Sequence, residues 1–360
     1  MTLHGAPPAV VRAAIQRGDP LPGSRGFAGE MDGMLVRDVL GRYPLFVDGE
    51  SWAFDPSELV DPSPFPAGHV RTDQGLERWG ELPDPSVADP SEGVAAVRSA
   101  LERAFSTIDT DGLAIAFSGG VDSALLAAAL EAPLYVAGFP DSHDVEAAKR
   151  GAALLDRELT VVELTHEDLE DAVPELVRAT GRTNAMDIQI ALPLYLVARR
   201  VAADGFDRLA LGQGADELFG GYAKVAKAPE DPRLDSDTVR GATNEVIETL
   251  PEQLERDVLA VRAAGVEPVA PLLHDAVVEA ALGLPGELLV EGETRKVALR
   301  EAAWRWLPEE LATKDKKAVQ YGSLVARELD RLARQAGFKR RMDDHVTQYV
   351  ESLSTSATGG

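Results

Sequence analysis

The chain of 360 residues contains no cysteine. This excludes disulfide bonds, zinc sites built from thiolates, and thiol nucleophiles. No run of about 18 apolar residues occurs, so the sequence predicts no membrane-spanning helix. The first residues, MTLHGAPPAVVRAAIQRGD, lack the apolar core of a signal peptide. We therefore expect a cytoplasmic protein without a membrane partner.

Basic residues are scarce, because 36 Lys and Arg stand against 60 Asp and Glu, for a net charge of -24. This balance disfavours broad binding to nucleic acid, which needs cations against phosphate. The acidic residues are spread along the chain rather than gathered in one tail. Such a surface favours a halophilic protein, since high salt screens the repulsion between its charges. An acidic protein from low salt is the alternative.

The composition changes near residue 90. Residues 1–90 are rich in Pro and Gly and predict a small β-rich segment, with strands in GMLVRDVLG and YPLFV and a turn at DGE. The stretch ELPDPSVADPSEGV is a linker candidate. Residues 91–340 are predicted to form the main domain, with Ser91 capping its first helix. Residues 341–360 are expected to hold the end of a helix and, from TSATGG, a disordered tail.

Strands alternate with helices after the linker. The runs GLAIAF, PLYVAGF, LTVVEL and FDRLALG are short and continuously apolar, which is typical of buried parallel strands. In ALPLYLVARRVAADG, Pro193 is expected near the first turn of a helix and Gly205 after its end. The alternation predicts an α/β fold with a parallel five-stranded sheet covered by helices on both faces. From about residue 238 a helical C-terminal part is expected.

The stretch FSGGVDSALLAAAL places a glycine turn between a predicted strand and a predicted helix. Ligands of open α/β sheets bind beyond the carboxyl ends of the strands, where a helix N-terminus offers free N–H groups. Gly119 and Gly120 would let the backbone approach an anion, and Ser118 and Ser123 would donate hydrogen bonds. Asp122 would repel a phosphate, which indicates a divalent cation between them. The Walker pattern, GxxxxGK followed by Ser or Thr, is absent.

The stretch LALGQGADELFGGY repeats this arrangement of strand, glycine turn and acidic pair. Gly212 and Gly214 would let the backbone approach a nucleotide. Asp216 would offer a second carboxylate to the cation. A solvated surface turn is the alternative for this stretch.

Both stretches resemble a known family. SGGxDS resembles the pyrophosphate loop of the N-type ATP pyrophosphatases, which include asparagine synthetases, β-lactam synthetase and the GMP and NAD synthetases. LALGQGADELFGGY resembles the GEGxDExFGGY stretch of asparagine synthetases, and further segments between about residues 92 and 335 resemble them too. The resemblance implies an adenine nucleotide α-hydrolase-like fold, ATP and Mg²⁺, and a ligase that adenylates a carboxylate, releases pyrophosphate and forms an amide with ammonia or an amine.

The resemblance also assigns roles to residues. Ala137 and Gly138, at a strand end, would line the adenine pocket, with Phe117 on the other side of the base. Asp122 and Asp216 would be the magnesium ligands.

One lysine is implied as catalytic. Lys317, in LPEELATKDKKAVQYGS, would neutralise charge that develops on the α-phosphate. The register leaves Lys314 and Lys316 open as alternatives. The alternative to a catalytic role is that these lysines form a solvated basic run on the surface.

Three departures affect the acceptor half of the pattern. Gln213 replaces a glutamate implied as the base for the incoming amine, and a carboxamide does not accept that proton. Either the amine arrives neutral, another group serves, or Gln213 only positions the acyl adenylate. The family's YD-x-x-x-x-R positions read Thr183, Asn184 and Gln189, although a charged aspartate would be expected to meet Arg or Lys there.

The third departure is in the GVE-x-R-x-PFLD region, whose arginine and aspartate read Val269 and His274. His274 is either a replacement base or a packed or solvated histidine. The nucleotide half of the pattern is therefore kept, while the acceptor half is altered.

The segment LVRDVLGRYPLFVDGESWAFDPSELVDPSPFPAGHV resembles the end of the glutaminase domain of asparagine synthetases. The N-terminal cysteine and the glutamine-reading stretches of that domain are missing, and position 2 is Thr2. We interpret residues 1–90 as a truncated structural remnant that docks on the synthetase part. Nitrogen would then come from ammonia, a separate glutaminase, or an amine on the acceptor.

Three functions follow from these observations. Conversion of aspartate to asparagine is the family default. A ligase for another carboxylate is the second, and a non-catalytic or regulatory ATP-binding homologue is the third, favoured by Gln213 and the missing glutaminase.

Overall fold

The computed structural model describes residues 2–140, 142–228, 236–313, 322–341 and 344–358. These residues form two compact units, each made of three chain segments. The first unit lies within Met1–Asp109, Leu211–Glu255 and Ala270–Asp315, and the second within Thr110–Ala210, Arg256–Val269 and Lys316–Gly360. The boundary predicted at residues 90 and 91 stays a prediction.

The N-terminal region of the first unit consists mainly of short antiparallel strands, as predicted for its β-rich sequence. Its elements are β1 Thr2–His4, α1 Pro8–Arg17, β2 Ala28–Met31, β3 Met34–Arg37, β4 Phe46–Asp48, β5 Ser51–Ala53, β6 Ser63–Pro64, β7 His69–Thr72 and β8 Gly75–Arg78. One sheet has the order β1-β2-β3-β7-β8 and a smaller one the order β5-β4-β6. Thr2 is exposed on the edge strand β1.

Helix α1 did not follow from the sequence, because the Pro-rich composition around it suggested few helices. Its signals are Pro8 in the first turn and Gly18 in the left-handed conformation after the last residue. Val11 of α1 packs in a buried cluster with Phe27 and Met31. The helix therefore completes a core that the strands alone would leave open.

The residues that resemble the glutaminase domain end form a buried polar network. The Arg37 guanidinium donates to the carbonyl oxygens of Tyr43, Phe65 and Gly41, at 2.9, 2.7 and 2.9 Å. Asp38 Oδ1 accepts from the Leu40 amide at 3.1 Å. These contacts fix the turn between β3 and β4.

Arg42 joins this network to a later segment of the first unit. Its Nε donates to Asp38 at 2.8 Å, and its NH1 group donates to Asp275 and to the Leu273 carbonyl, both at 2.7 Å. Burial alone would lower the pKa of Arg42, but the two aspartates more than offset it and raise that pKa. The N-terminal region is therefore anchored by a buried charge network.

The next helix, α2 Pro90–Ser106, begins one residue before Ser91. The prediction that Ser91 caps it was wrong, because Asp89 accepts hydrogen bonds from the Ser91 amide and hydroxyl at 3.0 and 2.7 Å. Pro90 then occupies the first helical position, where its missing N–H costs nothing. The residues 81–89 before it form no helix or strand.

The second unit contains a five-stranded parallel sheet with helices around it, which confirms the predicted fold class. Its elements are β9 Leu113–Ala116, α3 Val121–Ala129, β10 Leu134–Gly138, α4 His143–Leu154, β11 Leu159–Glu163, α5 His166–Thr180, α6 Ala185–Ala203, β12 Arg208–Ala210 and β13 Glu267–Val269. The order is β11-β10-β9-β12-β13. Strand order reverses between the neighbours β9 and β12, the position at which such sheets bind ligands.

Two details of this sheet differ from the sequence prediction. Helix α6 begins at Ala185, so Pro193 lies inside it rather than in its first turn. The fifth strand, β13, was not among the predicted apolar runs. It has three residues, includes Pro268 and lies at the sheet edge, where a missing ladder donor is tolerated.

The remaining described chain is mostly helical, as predicted for the C-terminal part. The elements are α7 Ala215–Leu218, α8 Ala223–Ala226, α9 Val239–Glu248, α10 Leu250–Arg262, α11 Asp275–Leu282, α12 Gly286–Leu289, β14 Val290–Glu291, β15 Thr294–Arg295, α13 Val297–Ala303, α14 Glu309–Thr313, α15 Gly322–Gln335 and α16 His345–Thr358. The expected disordered tail is thus helical up to Thr358. In this last helix the Ser354 and Thr355 hydroxyl groups donate to the Val350 and Glu351 carbonyls, one turn earlier.

Candidate active site

The predicted phosphate loop lies in the second unit, between β9 and α3. The Ser118 amide donates to Ser123 Oγ at 3.1 Å, and Ser123 Oγ donates to the Gly120 carbonyl at 3.2 Å. The two serine hydroxyl oxygens are 3.3 Å apart. Ser123 therefore fixes the curvature of the loop from inside the helix that follows it.

Gly119 brings this loop against α4. Its φ is 71°, and a Cβ atom there would fall 2.4 Å from the Ala147 carbonyl oxygen. On the facing helix, a Cβ at Gly151 would fall 3.1 Å from the Gly119 Cα. Gly120, the residue before α3, has no side chain that could cap the helix, and the amides of a helix N-terminus favour an anion.

The residues predicted around the adenine lie at the same edge of the sheet. Ala137 and Gly138 end β10, the neighbour of β9, and both are buried. The Phe117 ring is fully buried and packs towards Gly151. Asp122 lies half-buried in the first turn of α3. The structure thus gathers these residues, although their contacts with a nucleotide stay predictions.

The second motif starts in β12, and its glycine turn lies in the segment from Leu211 onward that belongs to the first unit. Gly214 has a φ of 91°, and a Cβ atom there would fall 2.6 Å from Leu273 Cδ2. The Ala215 amide donates to the Gly212 carbonyl at 3.4 Å. Gln213, between the two glycines, is half-buried. The turn that the glycines predict is therefore present.

The Glu217 side chain holds this turn through hydrogen bonds. It accepts from the Gly214 amide at 3.1 Å and from the Tyr222 hydroxyl at 2.5 Å. Burial and the charge of the neighbouring Asp216 raise the pKa of the Glu217 carboxyl above its ordinary value. Glu217 is thus a positioning residue rather than an exposed acid.

Lys296 contacts the candidate site residue Asp216 and was not predicted from the sequence. Its Nζ lies 2.8 Å from Oδ1 of Asp216, and both residues belong to the first unit. Lys296 has a φ of 61° and directly precedes α13. Its only sequence signal is a lysine in a chain poor in cations, so its contact with Asp216 depends on tertiary structure.

The matched family model is that of asparagine synthase, which covers residues 96–240 and 234–353. The chain belongs to the asparagine synthase family. Its similarity to relatives of that family extends over most of the described second unit and the later part of the first.

Curated relatives agree with this family. A Methanocaldococcus jannaschii protein named as a glutamine-hydrolysing asparagine synthetase is 31% identical over 279 residues, covering 68% of this chain and 51% of its own. Asparagine synthetase B of Escherichia coli is 26% identical over 347 residues, covering 84% and 62%. The chain thus spans about half the length of the curated relatives it matches.

Among solved structures, an NH₃-dependent NAD synthetase from Campylobacter jejuni, in complex with nitrate, matches 76% of this chain and 96% of its own. The sequence identity is 13% and the TM-score is 0.30. A likeness at this TM-score decides neither fold nor function.

The acceptor positions that depart from the asparagine synthetase pattern make structural contacts in the second unit. Asn184 caps α6, with Oδ1 accepting the Asp187 amide at 2.9 Å and Nδ2 donating to Asp187 Oδ2 at 2.7 Å. The Thr183 hydroxyl donates to Glu351 at 3.4 Å. Gln189 is half-buried on α6.

Two arginines near Asn184 also hold Asp187. Arg182 lies 3.1 Å and Arg256 2.9 Å from its carboxylate oxygens. These two arginines are therefore engaged in ion pairs within the second unit.

His274 is a helix cap in the first unit. It is 3% exposed, and its Nδ1 accepts the Ala276 amide at 3.1 Å. Burial lowers the pKa of His274, Asp275 opposes that effect, and nearby arginines add to it. This geometry agrees with a packed histidine rather than a replacement base. Val269 is buried at the end of β13.

The predicted catalytic Lys317 and its alternatives Lys314 and Lys316 lie outside the described residues. Among the residues that the structure does describe, no three His, Asp or Glu side chains lie together so as to hold a metal ion. In the same part of the chain, no helix has the length and apolar character needed to cross a membrane.

Proposed function

We propose that the protein is an ATP-dependent, amide-forming carbon–nitrogen ligase. It would adenylate a carboxylate, release pyrophosphate and transfer the acyl group to ammonia or an amine. The observation that carries the proposal is the serine–glycine loop between β9 and α3, at the carboxyl edge of a parallel sheet, in a member of the asparagine synthase family. A loop of this form suits pyrophosphate as a leaving group.

The loop residues would bind the phosphates of ATP. The first amides of α3 and the hydroxyl group of Ser118 would donate to phosphate oxygens, while Ser123, whose hydroxyl donates to the Gly120 carbonyl, would hold the loop in shape. The glycine backbone at Gly119 and Gly120 would allow close approach. Because these donors are fixed before the ligand arrives, they would stabilise negative charge as pyrophosphate leaves.

Asp122 and Asp216 are the carboxylates we propose for Mg²⁺. Magnesium is often held by one or two carboxylates together with substrate phosphates. Each carboxylate is partly accessible, because Asp122 is half-buried and the Asp216 side chain is 47% exposed. When bound, Mg²⁺ would neutralise phosphate charge. Lys317, or Lys316 or Lys314 in another register, would add a cation at the α-phosphate.

Aspartate and ammonia are the first substrates to test, because the curated relatives are named asparagine synthetases. This chain has no cysteine to act as a glutaminase nucleophile. Ammonia, or a separate glutaminase, would therefore supply the nitrogen. The cytoplasmic location and the adaptation to high salt stay predictions.

A ligase for another carboxylate is the second candidate, and specific contacts favour it. Asn184 is used as a helix cap, Thr183 contacts Glu351, and His274 is buried as a second cap. Side chains engaged in this way are poorly placed to read an amino-acid acceptor. Non-catalytic ATP binding, for which Gln213 argues, is the third.

The test follows pyrophosphate and AMP with Mg-ATP in high salt. Aspartate is supplied with ammonia or with glutamine, and a panel of other carboxylates follows. Pyrophosphate formed with aspartate and ammonia, but not with glutamine, supports the first candidate. Turnover only with another acid selects the second candidate, and ATP binding without turnover on any acid would overturn the ligase.

A matched pair of variants links the activity to the loop. We expect Asp122→Asn to reduce pyrophosphate release at least about a hundredfold, the scale seen when one preorganised hydrogen-bond donor to a transition state is removed. Asp171→Asn, an exposed acid on α5, should leave it unchanged. Equal activity of the two variants would contradict the role of Asp122.

A further inference from the structure

We propose that Lys296 is the resident counter-ion of Asp216 and makes divalent-cation binding at that carboxylate conditional on ATP. The inference rests on the proposed function in one respect, because Asp216 is there a carboxylate that holds Mg²⁺ with the nucleotide. The new element is the order in which ATP and the divalent ion bind. Without ATP, Asp216 is neutralised by Lys296 and takes up no divalent ion; the ion arrives with the phosphates.

The contact itself is close and partly buried. Lys296 Nζ lies 2.8 Å from Asp216 Oδ1, and the lysine side chain is 8% exposed while the aspartate side chain is 47% exposed. A second cation at this carboxylate would approach the ammonium to within a few ångströms. Salt screens such repulsion weakly when one of the charges is buried.

The backbone holds Lys296 in this position. Its φ of 61° is in the left-handed region, which is uncommon for a residue with a side chain. The Lys296 amide donates to the Leu289 carbonyl at 2.8 Å, and its carbonyl accepts the Arg300 amide at 2.9 Å. These bonds anchor the residue on both sides, so swinging the ammonium away from Asp216 would disturb the start of α13.

The backbone of Gly221 packs directly against the Lys296–Asp216 ion pair. A Cβ atom at Gly221 would fall 1.9 Å from Asp216 Oδ1 and 2.4 Å from Lys296 Cε. The Arg295 guanidinium donates to the Gly221 carbonyl at 2.5 Å, which holds this backbone in place. The ion pair is therefore packed against the main chain of the second motif rather than formed by two mobile surface side chains.

The chemistry of the ion supports the same order. Magnesium dehydrates reluctantly and is usually bound by few carboxylates plus substrate phosphates. In the parts of the chain that the structure describes, no cluster of three His, Asp or Glu side chains offers an alternative cage. The negative charges of the triphosphate would offset the lysine, so that the ion and Lys296 can both be accommodated once ATP is bound.

The experiment measures Mn²⁺ binding to the full chain without nucleotide, by the loss of the paramagnetic resonance signal of free Mn²⁺. About 1 M KCl screens the general acidity of the surface. We expect wild type, Lys296→Arg and Asp216→Asn to bind Mn²⁺ equally weakly. Lys296→Met should bind at least roughly tenfold more tightly, because a like charge at contact distance has been removed.

Two controls assign the gain to this carboxylate. The double variant Lys296→Met/Asp216→Asn should return to the wild-type level. Lys149→Met, which breaks an exposed pair with Glu146 of 3.0 Å, should bind as wild type does. Equal binding by wild type and a folded Lys296→Met, or a gain that survives in the double variant, would overturn the proposal.

Wild type and Asp216→Asn alone can also contradict the proposal, without any Lys296 variant. If Lys296→Met is unfolded by circular dichroism, wild type and Asp216→Asn still decide the matter. Wild type binding Mn²⁺ tenfold more tightly than Asp216→Asn, without ATP, would show that Asp216 takes up the ion despite the lysine. Because no turnover is measured, these results are separate from the failure or success of the ligase assay.

Discussion

Gly119 is the residue on which the shape of the phosphate loop depends. Its left-handed backbone and its approach to the Ala147 carbonyl leave no room for a Cβ atom. Gly181, after α5, shares the left-handed backbone, with a φ of 66°, but nothing lies within 4 Å of its Cβ position. Substituting the two glycines by alanine therefore measures two effects separately. Gly181 reports the free-energy cost of a left-handed residue with a side chain, and Gly119 adds the cost of the steric clash.

We predict that Gly181→Ala lowers the free energy of unfolding by about 1–2 kcal/mol, the cost of a left-handed residue with a side chain. Gly119→Ala should cost at least about 1–3 kcal/mol more, because a backbone carbonyl must also move. Urea unfolding measures both variants. ATP binding by calorimetry should be lost only in Gly119→Ala, and equal unfolding costs would contradict the close approach.

The grouping of candidate site residues could be predicted only where they are close together in the sequence. The serines, glycines and Asp122 follow one another in the sequence, so a strand–loop–helix pattern was enough to group them. Lys296 could not be predicted as a partner of Asp216, since the two are brought together only by tertiary folding. His274 was open between base and packed residue, because burial is decided by elements distant in the chain.

At the scale of elements, the turn after β3 is anchored to a later segment of the first unit. Arg42 connects the turn after β3 with the start of α11 through Asp38 and Asp275. Both carboxylates are buried, with side-chain exposures of 0% and 1%. Such a network is costly to interrupt, so this stretch contributes to the stability of the first unit.

We predict that Arg42→Met lowers the free energy of unfolding by about 3–5 kcal/mol, because it leaves two buried carboxylates without their cation. Arg12→Met should cost at most about 1 kcal/mol, since the Arg12–Asp32 pair is solvent-exposed. Urea unfolding compares the two. A similar small cost for both would mean that the N-terminal region is not anchored through Arg42.

Element types could be predicted from continuous apolar runs for β9 and β10 and from the longer helical pattern for α5. The ends of the helices were harder to predict, because side-chain hydrogen bonds decide which residue caps a helix. Asp89 and Ser91 are both good caps, and the structure uses the first. Strand β13 was missed since three residues with a proline carry almost no periodic signal.

For the molecule as a whole, the net charge of -24 is the dominant electrostatic property. Repulsion of this kind weakens the compact state in dilute salt and is reduced by screening. The fold class could be predicted from the alternation of strands and helices. The partition into two units could not, since each unit is assembled from segments that are separated in sequence.

We predict that raising KCl from about 0.1 to 2 M increases the unfolding temperature, as expected if screening relieves the repulsion. A stabilisation of about 2 kcal/mol would correspond to a rise of roughly 4–8 °C for a domain of this size. Circular dichroism during heating measures it, with NaCl as the control for a specific effect of potassium. A flat or falling temperature would favour the low-salt alternative.

The interleaving of the two units has a consequence for the order in which the protein can be made. The first unit needs residues up to the segment that ends at Asp315, and the second needs helices α15 and α16. Domains usually fold one after another as they leave the ribosome. Here neither unit has all of its segments until its third segment has been synthesised, so we expect neither unit to finish folding before that point.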